Sequence, residues 1–281
     1  MRRKTLMENG LQKIINNFTP HKTQKVLKTT INLEPGKKVY FASDQHFGAP
    51  TPKESKVREE RFICWMDEIK EDAQVLFLMG DLFDFWHEWK HVIPKGYVRV
   101  LGKIAELKDR GIHIYFFVGN HDLWMKDYLE EEIGCTVFYQ KQYFEMGGKQ
   151  FLLAHGDGLG PGDKGYKRMK KLFTNPVAQW FFKWLHPDIA MKVALYLSQK
   201  NKMISGEEDK AFLGEDKEFL IIYSKEKLKT QKIDYFIYGH RHLPMVLDLE
   251  QNAKYINLGD WISYFTYGVF EKDFELKAFE K

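Results

Sequence analysis

The stretch Val75-Leu-Phe-Leu-Met-Gly-Asp-Leu-Phe-Asp84 decides the fold, because a short apolar run ends here in a glycine and two carboxylates. A run of five uncharged residues bounded by turn residues is typical of a buried strand. Polar residues that follow buried strands gather at the carboxyl ends of the strands in an open α/β sheet. The stretch therefore predicts a strand that delivers ligands or catalytic groups to that end.

The same design recurs on both sides of this stretch, which makes the chain an α/β protein with a mostly parallel core. We predict strands over residues 39–42, 75–79, 112–118, 151–154, 233–238 and 255–258, helices over 57–69 and 98–107, and antiparallel strands within 265–279. The clusters that follow the first five strands are Ser43-Asp44-Gln45-His46, Gly80 to Asp84, Gly119-Asn120-His121-Asp122, His155-Gly156-Asp157 and Gly239-His240-Arg241-His242.

The residue types in these clusters indicate a site for two metal ions. Carboxylate, imidazole and amide groups are ligands for Mn²⁺, Fe²⁺ or Zn²⁺. Two such ions about 3.5–4 Å apart activate a water molecule and neutralise charge on a phosphoryl group. One carboxylate has to bridge the ions, and Asp81 is the candidate. Each motif alone is commonly a turn or a helix cap, but five in order, each after a strand, are hard to explain by chance.

The ordered set D-x-H, GD, GNHD, HGD and GH-x-H resembles the calcineurin-like metallophosphoesterase superfamily, over Val39 to Trp261. The resemblance implies a two-sheet α/β/α sandwich and a metal-dependent phosphoesterase. It implies that His121 is a proton donor near the leaving group, that Asp122 orients His121, and that Asp84 orients a metal-ligand histidine. By the same resemblance, one metal is held by Asp44, His46, Asp81 and His242, and the second by Asp81, Asn120, His155 and His240.

The spacing of the strands divides the chain into three parts. Residues 1–36 are predicted to be an N-terminal extension with a short amphipathic helix around Leu11 to Phe18. Residues 37–160 and 219–281 form the predicted core, and residues 161–218 form a helical lid insertion. Within that insertion, Pro161 to Lys202 carries nine lysines and arginines interleaved with aromatic residues.

The start of the insertion carries a narrower resemblance. The run from His155 to Tyr166, followed by Asn175-Pro176 and Gln179-Trp180, resembles the UDP-2,3-diacylglucosamine pyrophosphohydrolase family of lipid A synthesis. That resemblance implies a lid that holds acyl chains, two manganese ions, and a lipid-linked nucleotide substrate cleaved to UMP and a lipid monophosphate. The residues implied to contact the substrate are Asn120, Asp163, Ser198 and His240.

Two departures from that family keep alternatives open. Its better-known members carry arginine where this chain has His121, and the segment Ser198-Gln-Lys-Asn-Lys202 does not match their Ser-x3-Asn-x2-Lys pattern. A histidine can protonate an alkoxide leaving group, whereas a phosphate leaving group, with a second pKa of about 6, needs little help. The alternatives are another calcineurin-like phosphoesterase acting on a nucleotide or lipid phosphodiester, and a non-catalytic interaction module with this fold.

Composition bears on the partners and the cellular location of the protein. A formal net charge of +4 is too mild to indicate a nucleic-acid partner, and we expect none. Two cysteines, Cys64 and Cys135, indicate neither a disulfide framework nor a zinc-thiolate site. The chain shows no secretory signal and no membrane-spanning run. We therefore expect a cytoplasmic protein, with peripheral contact between the basic, aromatic lid and an anionic membrane.

Overall fold

The computed structural model describes residue 26 and residues 28–161, 164–205 and 211–280. The predicted helix around Leu11 to Phe18 and the predicted substrate contact Asp163 lie outside these ranges. The strands are β1 Lys28–Ile31, β2 Lys38–Ala42, β3 Ala73–Leu78, β4 His113–Phe117, β5 Thr136–Phe138, β6 Gln142–Met146, β7 Lys149–Leu153, β8 Tyr235–Tyr238, β9 Met245–Asp248, β10 Lys254–Asn257, β11 Thr266–Phe270 and β12 Phe274–Ala278. The helices are α1 Pro52–Ile69, α2 Val98–Asp109, α3 Lys164–Phe173, α4 Pro176–Lys183, α5 Pro187–Ser205 and α6 Phe219–Leu228, with a π-helical turn Leu129–Ile133 and a 3-10 turn Glu250–Asn252.

The strands form two six-stranded sheets in the orders β1-β6-β7-β8-β10-β9 and β12-β11-β2-β3-β4-β5. The neighbours β2, β3, β4 and β5 are parallel, as are β7, β8 and β10. Antiparallel pairs complete both sheets, including β11 with β2 and β11 with β12. The predicted two-sheet α/β sandwich with mixed sheets is confirmed.

Alternation along each strand decides which layer a side chain enters. In β2, Val39 and Phe41 face the core between the two sheets, whereas Tyr40 and Ala42 face the outer layer that contains α1 and α2. On the opposite side, α6 covers the other sheet with Leu220. The strands are therefore buried on both faces, which is why they read as continuous apolar runs.

The helix α1 begins five residues before the predicted start. Thr51 accepts a hydrogen bond from the backbone N–H of Glu54, and Pro52 occupies the first turn, where its missing N–H is not needed. The apolar spacing located only the later turns, which bury Phe62 and Trp65. The polar first turn is set by capping rather than by burial.

The first strand lies within the segment predicted as an N-terminal extension. Lys28–Ile31 pairs in parallel with β6, so this sheet begins before residue 37. Only Ile31 of its four residues is buried. An edge strand with one buried side chain carries too weak an alternating pattern to be recognised from the sequence.

Three helices, α3, α4 and α5, lie within residues 161–218, the segment predicted to be a helical insertion. We call them the lid helices. Among their contacts with the core, Trp124 donates from Nε1 to the Phe173 carbonyl at 2.8 Å, and the rings of Trp124 and Phe182 lie 4.5 Å apart. In α4 none of the residues is buried. The lid helices are therefore a more exposed layer over a densely packed core.

Candidate metal centre

The five sequence clusters meet at one end of the two sheets, where β2, β3, β4, β7 and β8 end. Five of their residues adopt the left-handed backbone conformation that non-glycine residues rarely use, with φ between 46° and 69°: Asp44, His46, Asp81, His240 and His242. Such strain is retained only where the surrounding structure holds it, and it is typical of functional sites.

Two glycines let these loops approach one another. A Cβ on Gly119 would lie 2.2 Å from Oδ1 of Asp81, and a Cβ on Gly80 would lie 2.5 Å from Nδ1 of His155. Any other residue at either position would displace a candidate ligand. The glycines of the GD and GNHD motifs are therefore required by close packing of the site.

The first group of donors consists of Asp44, His46 and His242. Nε2 of His242 lies 3.3 Å from Oδ1 of Asp44 and 3.2 Å from Nε2 of His46. Oδ1 of Asp44 is buried and has no hydrogen-bond partner in the part of the chain that the structure describes. A buried carboxylate oxygen facing two imidazole nitrogens is the environment that a divalent cation satisfies.

The second group consists of Asn120, His155 and His240. Oδ1 of Asn120 lies 3.1 Å from Nε2 of His155 and 2.8 Å from Nδ1 of His240. Asp81 lies between the groups, because its Oδ2 is 3.3 Å from Nε2 of His155 and 3.6 Å from Nε2 of His46. The seven predicted metal ligands thus converge, with the predicted bridging carboxylate in the middle.

Each histidine that offers Nε2 is oriented through its other nitrogen. Nδ1 of His46 lies 3.2 Å from Asp84, Nδ1 of His242 lies 3.3 Å from Asp260, and Nδ1 of His155 lies 2.9 Å from the Met79 carbonyl. Carboxylate and carbonyl partners fix the ring so that the Nε2 lone pair points at the site. The predicted orienting role of Asp84 agrees with this geometry.

Electrostatics favour ionised carboxylates in the site. Burial would raise the pKa of Asp81, but the neighbouring His155 and His121 hold it well below its usual value. For His155, burial lowers the pKa, but Asp81 outweighs it and raises the pKa to about 10. Burial and the charge of His155 lower the pKa of His240 to about 4, which leaves its ring neutral and able to bind a metal.

The orientation of His121 differs from the prediction. Both carboxylate oxygens of Asp122 accept hydrogen bonds from backbone amides, those of Leu82 at 3.0 Å and Gly119 at 2.7 Å. Nδ1 of His121 instead lies 3.0 Å from the Asp84 carbonyl. The assignment of Asp122 as the residue that orients His121 is therefore wrong, because the Asp122 side chain turns back to brace two ligand loops. Burial and the charge of Asp81 raise its pKa to about 8.

Ser198, a predicted substrate contact, lies on α5 and reaches the core. Its hydroxyl donates to Oδ2 of Asp84 at 2.8 Å and lies 3.4 Å from Nδ1 of His121. Ser198 thus joins a lid helix to the carboxylate that orients His46. Its position beside His121 also places it at the edge of the site.

A cavity of about 220 Å³ opens beside the candidate metal centre. On the metal side it is lined by Asn120 and His121, and elsewhere its walls are mostly apolar. Both the core and the lid helices contribute these walls: Phe85, Trp86, Leu123, Trp124, Met169, Phe173, Phe182, Val193, Ala194 and Leu197.

One buried and one partly buried ion pair near the site were not found from the sequence. Arg241, between the two histidines of the last motif, forms a bidentate pair with Glu218 at 2.9 Å and donates to the Ala211 carbonyl. Asp157 pairs with Lys170 on α3. Neither pair is visible in the sequence, because the partners come together only when the insertion folds onto the core.

Residues 37–244 match the family of calcineurin-like phosphoesterases. The UDP-2,3-diacylglucosamine hydrolase of Porphyromonas gingivalis is 37% identical over 247 residues, which cover 83% of this chain and 94% of that protein. The hydrolase of the same name from Pseudomonas putida is 28% identical, covering 86% and 99%. A dimetal phosphatase structure from Danio rerio aligns at 14% identity with a TM-score of 0.41, covering 87% of this chain and 96% of that one.

The fold and the donor set define a metal-dependent hydrolase. On the family match and the 37% identity, the chain belongs to the calcineurin-like phosphoesterase family. Divalent metal ions are its cofactors, and when bound they supply an activated water and neutralise charge on a phosphoryl group. The fully populated donor set speaks against the alternative of a non-catalytic interaction module.

Proposed function

We propose that this chain hydrolyses UDP-2,3-diacylglucosamine to UMP and the lipid monophosphate. The observation that carries the proposal is the apolar cavity, which is shared between the lid helices and the core and begins beside Asn120 and His121. An apolar chamber next to the candidate metal ligands offers a place in which the acyl chains of a diacylated substrate can be buried. The names of the relatives from Porphyromonas gingivalis and Pseudomonas putida support the same substrate.

In the proposed reaction, water attacks the phosphorus next to uridine. The bond from that phosphorus to the bridging oxygen breaks, so UMP takes the water oxygen and the lipid phosphate leaves with the bridging oxygen. The seven ligands Asp44, His46, Asp81, Asn120, His155, His240 and His242 would hold the two metals. His121 lines the cavity, and in this proposal it donates a hydrogen bond or a proton to the leaving oxygen.

We propose manganese as the metal on the family expectation stated above, and the carboxylate, imidazole and amide donors are compatible with manganese as well as with iron or zinc. Metal content after purification, and recovery of activity when an EDTA-treated sample receives Mn²⁺, Zn²⁺ or Mg²⁺, test this assignment. Full recovery with zinc but not with manganese would overturn it.

The proposed substrate contacts are Asn120, Asp163, Ser198 and His240. Asn120 and His240 lie at the metal centre, 2.8 Å apart between Oδ1 and Nδ1, so a phosphate bound there would meet both. The Ser198 hydroxyl lines the cavity while donating to Asp84, which leaves its lone pairs for a donor on the substrate.

The lid helices also support peripheral contact with a membrane that carries the substrate. Among the described residues, no helix has the length and hydropathy needed to cross a membrane. The helix α4 and the residue after it present Val177, Trp180, Phe181 and Trp184 at helical spacing, exposed by 62%, 38%, 64% and 73%. An exposed apolar stripe rich in tryptophan, on a basic segment, fits the interface of an anionic bilayer.

Product analysis tests the function directly. Purified protein with Mn²⁺ and UDP-2,3-diacylglucosamine in detergent is expected to release UMP and lipid phosphate in equal amounts. Absence of UMP, with hydrolysis of bis(p-nitrophenyl) phosphate intact, would contradict the substrate while leaving the metal site in place. That outcome would favour the second candidate, a phosphoesterase for a different nucleotide or lipid phosphodiester, which the proton donor His121 supports.

Flotation with liposomes tests the membrane contact. The protein is expected to float with vesicles containing phosphatidylglycerol at low salt, and Trp184→Ser with Phe181→Ser is expected to remain at the bottom. Flotation of that double variant equal to the wild type would contradict the role of α4.

A further inference from the structure

The carboxylate of Asp157 holds a lysine of the lid beside the metal centre. Asp157 follows the ligand His155 by two residues, and its side chain is only 6% exposed. Its Oδ2 accepts hydrogen bonds from Nζ of Lys170 and from the hydroxyl of Tyr166 at 2.5 Å. Both partners lie on α3, so one buried core carboxylate positions a cation and a phenol from the lid.

Lys170 lies on the substrate side of the site. It lines the same cavity as Asn120 and His121, and the ring of Tyr166, one helical turn away, lies 6.1 Å from the ring of His240. Of the described residues that line this cavity, Lys170 alone is a lysine or arginine. The Lys170 side chain is 32% exposed, and because it lines the cavity a ligand that enters there meets it.

One of the two phosphates of the proposed substrate has no binding partner among the residues assigned so far. In the reaction proposed above, the phosphate next to uridine would lie at the metal centre, but a second phosphate remains attached to the lipid. As that phosphate leaves, it carries about 1.5 to 2 negative charges near neutral pH. A mostly apolar cavity offers such an anion little stabilisation unless a cation is fixed in its wall.

We propose that Lys170 is the specificity-determining residue that binds the phosphate remaining on the lipid. This inference rests on the proposed function. A lysine ammonium has three donors, so a hydrogen bond to Asp157 leaves two for phosphate oxygens. Asp157 and Tyr166 keep the ammonium at the cavity wall, which reduces the conformational entropy lost on binding. Acyl chains in the cavity and the phosphate at Lys170 are then recognised as one ligand.

The competing reading is that the pair of Asp157 and Lys170 only fastens the lid to the core. If the pair only attached the lid, its loss would lower the activity on every substrate alike, because the lid would be displaced whichever ester is bound. A phosphate-binding lysine affects ligands that carry a second phosphate or a lipid phosphate, and spares a diester with a single phosphorus. The two readings thus differ in the pattern across substrates.

The variants are Lys170→Met, Lys170→Arg and, as a matched control, Lys171→Met, which removes an exposed charge from the same helix. For each, Mn²⁺ content, kcat and KM are measured with UDP-2,3-diacylglucosamine and with bis(p-nitrophenyl) phosphate. Inhibition of the soluble diester reaction by dodecyl phosphate is measured as well. This last assay needs no turnover of the lipid nucleotide.

Loss of a charge-assisted hydrogen bond predicts that Lys170→Met weakens inhibition by dodecyl phosphate by about tenfold or more, and raises KM for the lipid nucleotide similarly. Turnover of the soluble diester and metal content are expected to stay at the wild-type level, with Lys170→Arg recovering most of the loss and Lys171→Met showing none. Unchanged inhibition by dodecyl phosphate in Lys170→Met, or an equal loss on both substrates, would overturn the proposal. Failure of the wild type to release UMP would instead contradict the proposed function, and the dodecyl phosphate assay would still decide whether Lys170 binds a lipid phosphate.

Discussion

The metal-centre loops and the lid helices face the same cavity, but they differ in how deeply their side chains are buried and in how firmly their backbone is held. Asp44, His46 and Asp81 are at most 1% exposed and are held by strand pairing, close glycine packing and left-handed backbone geometry. In the lid, α4 buries none of its residues, and residues 187–198 of α5 bury few: Ala190, Ala194 and Ser198. The difference teaches that the chemistry is fixed by the rigid core, whereas the choice of substrate is left to a layer that can change with little effect on folding.

The largest effect is expected for a substitution in the metal-centre loops. Asp81→Asn removes the charge between the two donor groups, and we expect activity to fall by about 10⁴-fold or more with loss of bound metal. Metal analysis and diester hydrolysis measure both effects, with the exposed Asp109→Asn as the control. Retention of two metal equivalents in Asp81→Asn would contradict its bridging position.

The next largest effect is expected at the ion pair of Glu218 and Arg241, which joins the insertion to the core. Glu218→Ala would leave Arg241 buried without its bidentate partner, and we expect the free energy of unfolding to fall by about 3–5 kcal/mol. Denaturant unfolding measures this change. The matched variant Glu215→Ala breaks an exposed pair with Lys225 and is expected to lose at most about 1 kcal/mol. Equal losses in both variants would show that burial of the pair has no energetic consequence.

A smaller effect is expected at the border between site and cavity. His121→Ala should leave the metals bound and slow hydrolysis by about 10²-fold, more for esters with poor leaving groups, because a proton donor is lost. A plot of rate against leaving-group pKa for substituted phenyl diesters checks this dependence. A fall in metal content would show instead that His121 is a ligand.

The smallest effect lies at the contact between lid and core, where the His87 ring packs 5.2 Å from Phe182 and 5.3 Å from Trp124. Burial, with the charges of Lys126 and Lys183, lowers the pKa of His87 to about 3. The unfolded chain therefore binds this proton more tightly, so the folded state loses stability as the pH falls from about 6.5 towards 3.

His87→Phe removes that titration. Relative to the wild type, we expect it to be within about 1 kcal/mol at pH 7.5 and more stable by about 2 kcal/mol at pH 5. Urea unfolding at both pH values measures the difference. If the stability difference between His87→Phe and the wild type were the same at both pH values, the pKa of His87 would not be lowered by folding.

The sequence predicted the rigid half well, because strand periodicity and the position of polar residues at strand ends are local properties. The seven predicted ligands lie in five short motifs, and the family resemblance that assigns them is carried by those motifs alone. The prediction for Asp122 was wrong because the direction of a side chain in a tight loop depends on which backbone amides surround it. The role of Asp260 beside His242 was missed for a related reason, since the two residues meet only after β9 and β10 have paired.

The lid was predicted at the level of helices but not of contacts. The insertion was predicted to be helical, but the partners of Lys170 and Ser198 lie 13 and 114 residues away in sequence. The cavity between lid and core is likewise a product of packing, and no periodicity in the sequence indicates its position. Sequence patterns therefore located the chemistry more precisely than the determinants of specificity.

The division between a catalytic core and a substrate-selecting lid is tested most directly by Leu197→Glu. Leu197 lines the cavity from α5 but is 43% exposed, so the variant is expected to fold. The measurement is kcat/KM for UDP-2,3-diacylglucosamine and for bis(p-nitrophenyl) phosphate, with Leu172→Glu, 62% exposed on α3, as the control. A charge in the apolar wall is expected to lower the lipid value by about 10²-fold, with the soluble diester value and the control at wild-type levels. Equal loss on both substrates, or no loss on the lipid, would contradict the assignment of specificity to the lid.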